Sequence, residues 1–167
     1  MNIKALSLVA AVLLLAGCAD DTKTTAQTGG QTATTSPATG GGMTTTSIRP
    51  GSKEDFQQNV GDRVFFAFDK SDISAEAAQT LAKQAAWLKQ YPNVTLTVEG
   101  HCDERGTREY NLALGERRAN SVKKALVAAG IAANRVSTIS YGKERPAVVG
   151  SNDAAYSQNR RGVSVVN

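Results

Sequence analysis

The 167-residue chain predicts an α+β domain in which helices pack on one β-sheet through βαβ crossovers, behind a segment that does not fold. Three observations carry that prediction. Short apolar or alternating runs at residues 63–68, 94–99, 134–141 and 162–166 have strand character. Helical stripes at residues 75–90 and 110–129 lie between them, and strands separated by helices imply crossovers and a layer of helices on a sheet. Residues 19–50 hold almost no large apolar side chain, so they cannot bury enough surface to fold.

Taken in order, Met1 to Gly17 carries Lys4, an apolar run from Ala5 to Ala16 and then small residues, the pattern of a secretory signal peptide. The run is too short to span a bilayer. It ends at Leu15-Ala16-Gly17-Cys18, which resembles the lipobox of bacterial lipoproteins. The resemblance implies cleavage before Cys18 and its acylation with a thioether-linked diacylglycerol and an amide-linked third chain. Each buried methylene contributes about 0.8 kcal/mol, enough for two or more chains to hold the protein on a membrane it does not cross. Ala19, rather than Asp, after Cys18 favours the outer membrane by resemblance to Gram-negative lipoproteins.

Cys18 and the Thr-, Gly- and Gln-rich segment up to Pro50 read as a flexible tether with a typical end-to-end distance of roughly 30 Å. Gly51 to Asn167 is long enough for one domain with a proper core and short for two. This domain carries sixteen Lys and Arg against thirteen Asp and Glu, a mild excess that does not argue for nucleic acid. Cys102 is the only cysteine besides Cys18, so acylation leaves it without an internal disulfide partner, as a free and buried thiol.

Within the domain a short amphipathic turn holds Phe56 and Val60. Arg63 to Phe68 is almost wholly apolar and reads as a central strand buried on both faces. Ser74 is the N-cap of a helix from Ala75 to Gln90, with Ala78, Leu81, Ala82, Ala85 and Leu88 as its buried stripe and Tyr91-Pro92-Asn93 as its stop. Trp87 falls off that stripe, on the rim. Val94 to Glu99 alternates and leads into the acidic loop Gly100 to Gly106. The helix Tyr110 to Ala129 closes at Gly130 in a left-handed cap. Asn134 to Tyr141 forms the third strand, turned by Gly142 and Pro146, and a short helix near Asp153 to Gln158 precedes the final strand, Gly162 to Val166.

The long helix contains an anomaly. Its stripe runs through Asn111, Leu114, Gly115, Arg118, Ala119, Val122, Ala125, Leu126 and Ala129, so the Arg118 guanidinium must snorkel out or meet an anion. Asp103, on the loop before the helix, is the nearest acid. A carboxylate and a guanidinium lining one hollow suit a zwitterion; a salt bridge between them that merely ties loop to helix remains open. Asn111 could serve only to start the helix, and His101, the lone histidine, reads as a packed strand-end side chain.

Several motifs in fixed order then carry a resemblance. Phe66-Ala67-Phe68-Asp69-Lys70, Val98-Glu99-Gly100-His101-Cys102-Asp103-Glu104-Arg105-Gly106-Thr107, Leu114-Gly115-Glu116-Arg117-Arg118-Ala119-Asn120, Tyr141-Gly142-Lys143-Glu144-Arg145-Pro146 and Ala155-Tyr156-Ser157-Gln158-Asn159-Arg160-Arg161 resemble the OmpA-like peptidoglycan-binding domains. With the lipobox and tether, the whole chain resembles the peptidoglycan-associated lipoproteins (Pal) of the Tol-Pal system. The resemblance implies one mixed sheet and binding of the peptidoglycan stem peptide through meso-diaminopimelate, held by Asp103 and Arg118. By motif position it adds Asp69, Asn111 and, as a second positive edge, Arg161. It also implies a role in envelope integrity and outer-membrane constriction at division, with the periplasmic protein TolB sharing an overlapping surface. Cys102 departs from the pattern, where Thr or Ala is usual.

Two other classes stay open. Asp103, Glu104 and Glu109 could form the carboxylate pair of a wall hydrolase, although a deep sugar cleft has little room in a domain this small. One histidine is too few for a zinc peptidase, and no catalytic or metal-ligating set stands out. An interaction protein whose main ligand is another protein is the third reading.

Overall fold

The computed structural model describes residues 48–167; the predicted signal peptide, Cys18 and the tether up to residue 47 lie outside the described residues. The first described elements are a helical turn, α1 (Lys53–Asp55), and a π-helical turn (Phe56–Val60) that places Phe56 in the core. β1 (Arg63–Phe65), α2 (Ala75–Gln90), β2 (Leu96–His101), α3 (Arg108–Ala128), β3 (Val136–Gly142), α4 (Asp153–Asn159) and β4 (Arg161–Val166) follow. Side chains at the helix starts satisfy backbone donors that the helices leave free: Ser74 accepts from Ala77 N, Thr107 from Tyr110 N and Asn152 from Ala155 N. Gly130, at φ +94°, closes α3 as expected, with Ile131 N donating to Leu126 O at 3.1 Å.

The strands form one mixed sheet in the order β1-β4-β2-β3. β2 and β3 are parallel neighbours joined through α3, while β4 inserts antiparallel between β1 and β2. β1 and β2 therefore run the same way, and α2 is the crossover between them, starting near their C-terminal ends. The core lies between the sheet and the two long helices, where Val64, Leu96, Val98 and Val136 meet Leu81, Leu88, Val122 and Leu126.

Glycines set how closely α3 approaches the sheet. A Cβ on Gly100 would fall on the Gly115 carbonyl, and one on Gly115 would fall on the Ser140 hydroxyl. Only backbone can pass there, which brings α3 within hydrogen-bond reach of the end of β2.

Three expectations change. β1 is an edge strand of three residues and not a doubly buried central one; Phe65 is 42% exposed, and no strand lies beyond it among the described residues. The buried face of α2 is rotated from the expected stripe: Ala77, Leu81, Gln84, Ala85, Trp87 and Leu88 are buried, whereas Ala78 and Ala82 are exposed. Trp87 is accordingly core and not rim. It packs between Phe56 and Tyr91 and donates Nε1–H to Asp55 at 2.9 Å. This aromatic stack stitches the entry of the chain to the C-terminal end of α2.

Candidate functional site

The C-terminal ends of β1 and β2 meet the first turns of α3 around a hollow of about 190 Å3. Phe68, Asp69, Cys102, Asp103, Arg105, Gly106, Tyr110, Asn111, Leu114 and Arg118 line it. The loop between β2 and α3 is shaped from below. Gly106 adopts φ +89°, and the buried Asn111 amide donates to Arg105 O at 2.8 Å and Thr107 O at 3.0 Å. Cys102 anchors the same loop, its N–H donating to Gly142 O at 2.8 Å and its thiol to Asn111 O at 3.3 Å. Burial, the largest influence on that thiol, raises its pKa and keeps it protonated.

Asp103 is only 4% exposed, yet it is ionised. Burial opposes its charge, but the Arg105 side chain and backbone, together with Arg160, outweigh burial and hold the carboxyl below its ordinary pKa. Arg105 grips it in a fork, Nη2 to Oδ2 at 2.6 Å and Nε to Oδ1 at 3.2 Å, and its backbone N–H adds a third bond at 3.2 Å. The Arg105 guanidinium also lies 4.0 Å above the Phe68 ring and 4.4 Å from the Tyr156 ring centre. Arg160, which does not line the hollow, donates from Nη1 to Asp103 Oδ2 at 3.4 Å.

Arg118 is fully buried and caged by backbone. Its Nε donates to Lys70 O at 2.9 Å, Nη1 to His101 O at 2.8 Å and Nη2 to Ala67 O at 3.1 Å. A guanidinium carries five N–H groups, so two remain uncommitted. Burial lowers its pKa, with Cys102 and Asp103 acting the other way; guanidinium basicity leaves it charged. The open question of a loop-to-helix salt bridge is answered here: Asp103 pairs with Arg105 and Arg160, not with Arg118. Arg118 holds the loop through carbonyls instead.

Asp69 sits at the mouth, exposed, at φ +56°, the one non-glycine residue with positive φ among the described residues. It accepts from the Tyr110 hydroxyl, which links the β1 loop to α3. Phe68, 58% exposed beside it, presents an apolar wall.

Four of the five residues expected at a binding site thus meet: Asp69, Asp103, Asn111 and Arg118. The Asn111 amide nitrogen, expected to reach peptide backbone, is instead committed to the loop. Arg161 does not join them. As the first residue of β4 it points away from the hollow, donating to Asn159 O and Arg145 O, while the preceding Arg160 faces Asp103. Two adjacent arginines at a strand start lie on opposite sides, and sequence alone does not say which faces inward. Arg105, Phe68 and Tyr110 were missed as well; an arginine two residues after the acid and an aromatic residue before Asp69 were the available signals. His101 is packed as expected, 2% exposed, against Tyr141 at 5.5 Å between ring centres. Neither ring nitrogen has a hydrogen-bond partner among the described residues, and burial, with Arg161 adding to it, lowers its pKa to about 4.

Among the described residues no group of three or more His, Cys, Asp or Glu is placed to hold a metal ion, and no helix is long and apolar enough to cross a membrane. The OmpA family profile matches residues 65–160. A peptidoglycan-associated lipoprotein of Brucella melitensis is 58% identical over 118 residues, covering 71% of this chain and 70% of that protein. One from Agrobacterium fabrum is 57% identical over 120 residues, 72% of this chain and 68% of that protein. The crystal structure of the peptidoglycan-associated lipoprotein from Burkholderia pseudomallei aligns with a TM-score of 0.62 at 38% identity, covering 64% of this chain and 90% of that one. The C-terminal domain of Helicobacter pylori MotB shares the fold, with a TM-score of 0.55 at 22% identity, over 62% of this chain and 84% of that one.

Proposed function

The chain belongs to the OmpA family and, within it, to the peptidoglycan-associated lipoproteins, and from that premise we propose that its hollow binds the stem peptide of peptidoglycan through the zwitterionic end of meso-diaminopimelate. The family consists of wall-binding proteins that are not enzymes. One observation carries the finer reading: two carboxylates, Asp69 and Asp103, and two guanidiniums, Arg105 and Arg118, line one hollow, so it presents both signs of charge together. A net-neutral group bearing both signs fits such a site better than a simple cation or anion.

Asp103 receives the ammonium. Because Arg105 occupies the carboxylate, the ammonium takes the place of that guanidinium, which is 37% exposed and free to swing. The ligand carboxylate meets the uncommitted N–H groups of Arg118. Each charge-assisted bond contributes roughly 1.5 to 3 kcal/mol. A lysine-containing peptide lacks the carboxylate and leaves Arg118 unmatched, so the site separates the two peptides.

In the cell, Cys18 carries the acyl chains that hold the protein at the outer membrane, with this domain in the periplasm. The Tol system, through TolB competing for an overlapping surface, then couples wall binding to outer-membrane constriction at division. The family resemblance and the signal sequence support this part.

Calorimetric titration with soluble stem peptides, one containing meso-diaminopimelate and one lysine, tests the clamp. The first should bind, and Asp103→Asn should weaken it at least tenfold. Equal affinity for both peptides would sink the assignment. Adding TolB to the loaded protein should displace the peptide, and purified wall incubated with the protein should release no fragments.

A further inference from the structure

We propose that Arg160 is the positioning residue of this site: it keeps Asp103 ionised and aimed at the moment when a ligand ammonium replaces Arg105. This rests on the stem-peptide reading above and deepens it. Asp103 has two arginine partners of unlike mobility. Arg105 comes from the same loop, lines the hollow, and apart from Asp103 is held only by the faces of Phe68 and Tyr156. Arg160 stands outside the hollow, 16% exposed in its side chain, and is tied to the end of β1 twice. Its Nε donates to Phe66 O at 3.0 Å, and its own carbonyl accepts from Phe66 N at 2.9 Å. It follows directly on α4, whose end fixes its backbone.

That difference assigns the roles. A ligand cation can displace Arg105 because the exchange trades one positive group for another on a side facing solvent. It does not displace Arg160, whose guanidinium lies outside the hollow and is held by Phe66 O. During the exchange Asp103 is buried and briefly short of donors, the condition under which a carboxylate takes up a proton. The remaining charged and titratable neighbours do not substitute. Arg118 makes no ion pair with Asp103 and turns its remaining N–H groups to the ligand carboxylate, Glu104 repels, and the Cys102 thiol is neutral. Arg160 is the standing cation, and its effect on binding grows as protons become available.

The test is titration of the mature full chain with the soluble meso-diaminopimelate stem peptide at pH 7.5 and pH 4.5, using wild type, Arg160→Gln, Arg160→Lys and Asp103→Asn. Thermal melting at both pH values shows whether each variant is folded. Arg160→Gln should lose about threefold in affinity at pH 7.5 and more than tenfold at pH 4.5, with Arg160→Lys recovering most of the acid deficit. Equal deficits at the two pH values, or no deficit, would overturn the positioning role. Asp103→Asn separates the two readings. If it binds as wild type, the stem-peptide clamp fails; if it loses binding while Arg160→Gln follows the wild-type pH profile, only the inference about Arg160 fails.

Discussion

Arg118 and Arg135 are each caged by three backbone carbonyls, and the two cages differ in what they gather. Arg135 collects Leu88 O, Tyr91 O and Val94 O, all from the turn that ends α2 and leads into β2. Leu88 O belongs to the last turn of α2, where carbonyls lack helical partners, and the other two follow within six residues, so Arg135 is a local cap. Arg118 collects Ala67 O and Lys70 O from the loop after β1 and His101 O from the end of β2, two segments with α2 between them. A guanidinium bonded to carbonyls is therefore no sign of a binding site in itself. What marks Arg118 is that its partners come from the segments that carry Asp69 and Asp103, and that its cage opens on a hollow.

The sharpest separation of the two is by truncation. Arg118→Ala should cost about 3 kcal/mol of stability, because the buried His101 carbonyl loses its donor and the loop after β1 loses its tie to α3, and should abolish stem-peptide binding. Binding retained in a folded Arg118→Ala protein would reduce Arg118 to the status of Arg135. Arg135→Ala should cost about 2 kcal/mol, read as a lower midpoint in urea, with peptide affinity unchanged within twofold.

A third comparison uses acid. His101, beside Arg118 at the end of β2, has its pKa lowered from 6.5 to about 4 by burial. The unfolded chain therefore binds the proton more readily, and this contribution to stability is complete above pH 6.5 and is lost as pH falls towards 4. By pH 5 the loss is about 2 kcal/mol. Replacing it with a ring that does not titrate, His101→Phe, should flatten that part of the pH–stability curve; an unchanged curve would remove His101 as the cause. The smallest effect is at Arg161, where Arg161→Gln should leave stem-peptide affinity within twofold, since its bonds run to Asn159 O and Arg145 O. A large loss there would return the positive edge of the site to Arg161.

These contrasts show what the amino-acid sequence conveys and what it leaves undetermined. The caps at Ser74 and Gly130, the bounds of α2 and the buried stripe of α3 follow from local chemistry that tertiary packing does not override. The face of α2 does not, because alanines surround that helix and leave Trp87 free to lie on either side of any drawn stripe. The burial of the run Arg63 to Phe68 is ambiguous for a related reason. An aromatic side chain looks the same whether it faces a core, as Phe66 does, or a hollow, as Phe68 does. The acid and the arginine of the site were visible as polar residues out of place; their real partners were not, since Arg105, Arg160 and three carbonyls reach them through folds of backbone that no spacing encodes.

The stitched entry of the chain has a mechanical consequence. Asp55 accepts from Gly51 N, Asn59 and Trp87, binding the segment after Ile48 to the C-terminal end of α2. The hollow lies towards the other end, where β1 and β2 finish and α2 begins. With a sixteen-residue helix between them, about 24 Å long, a pull entering upstream of Gly51 and resisted at the hollow runs along the strands. β1 would then slide against β4, loading their hydrogen bonds in shear, together and not one after another. Loaded in that way, the domain would carry tension along its length, between the aromatic clip at one end and the arginine cage at the other.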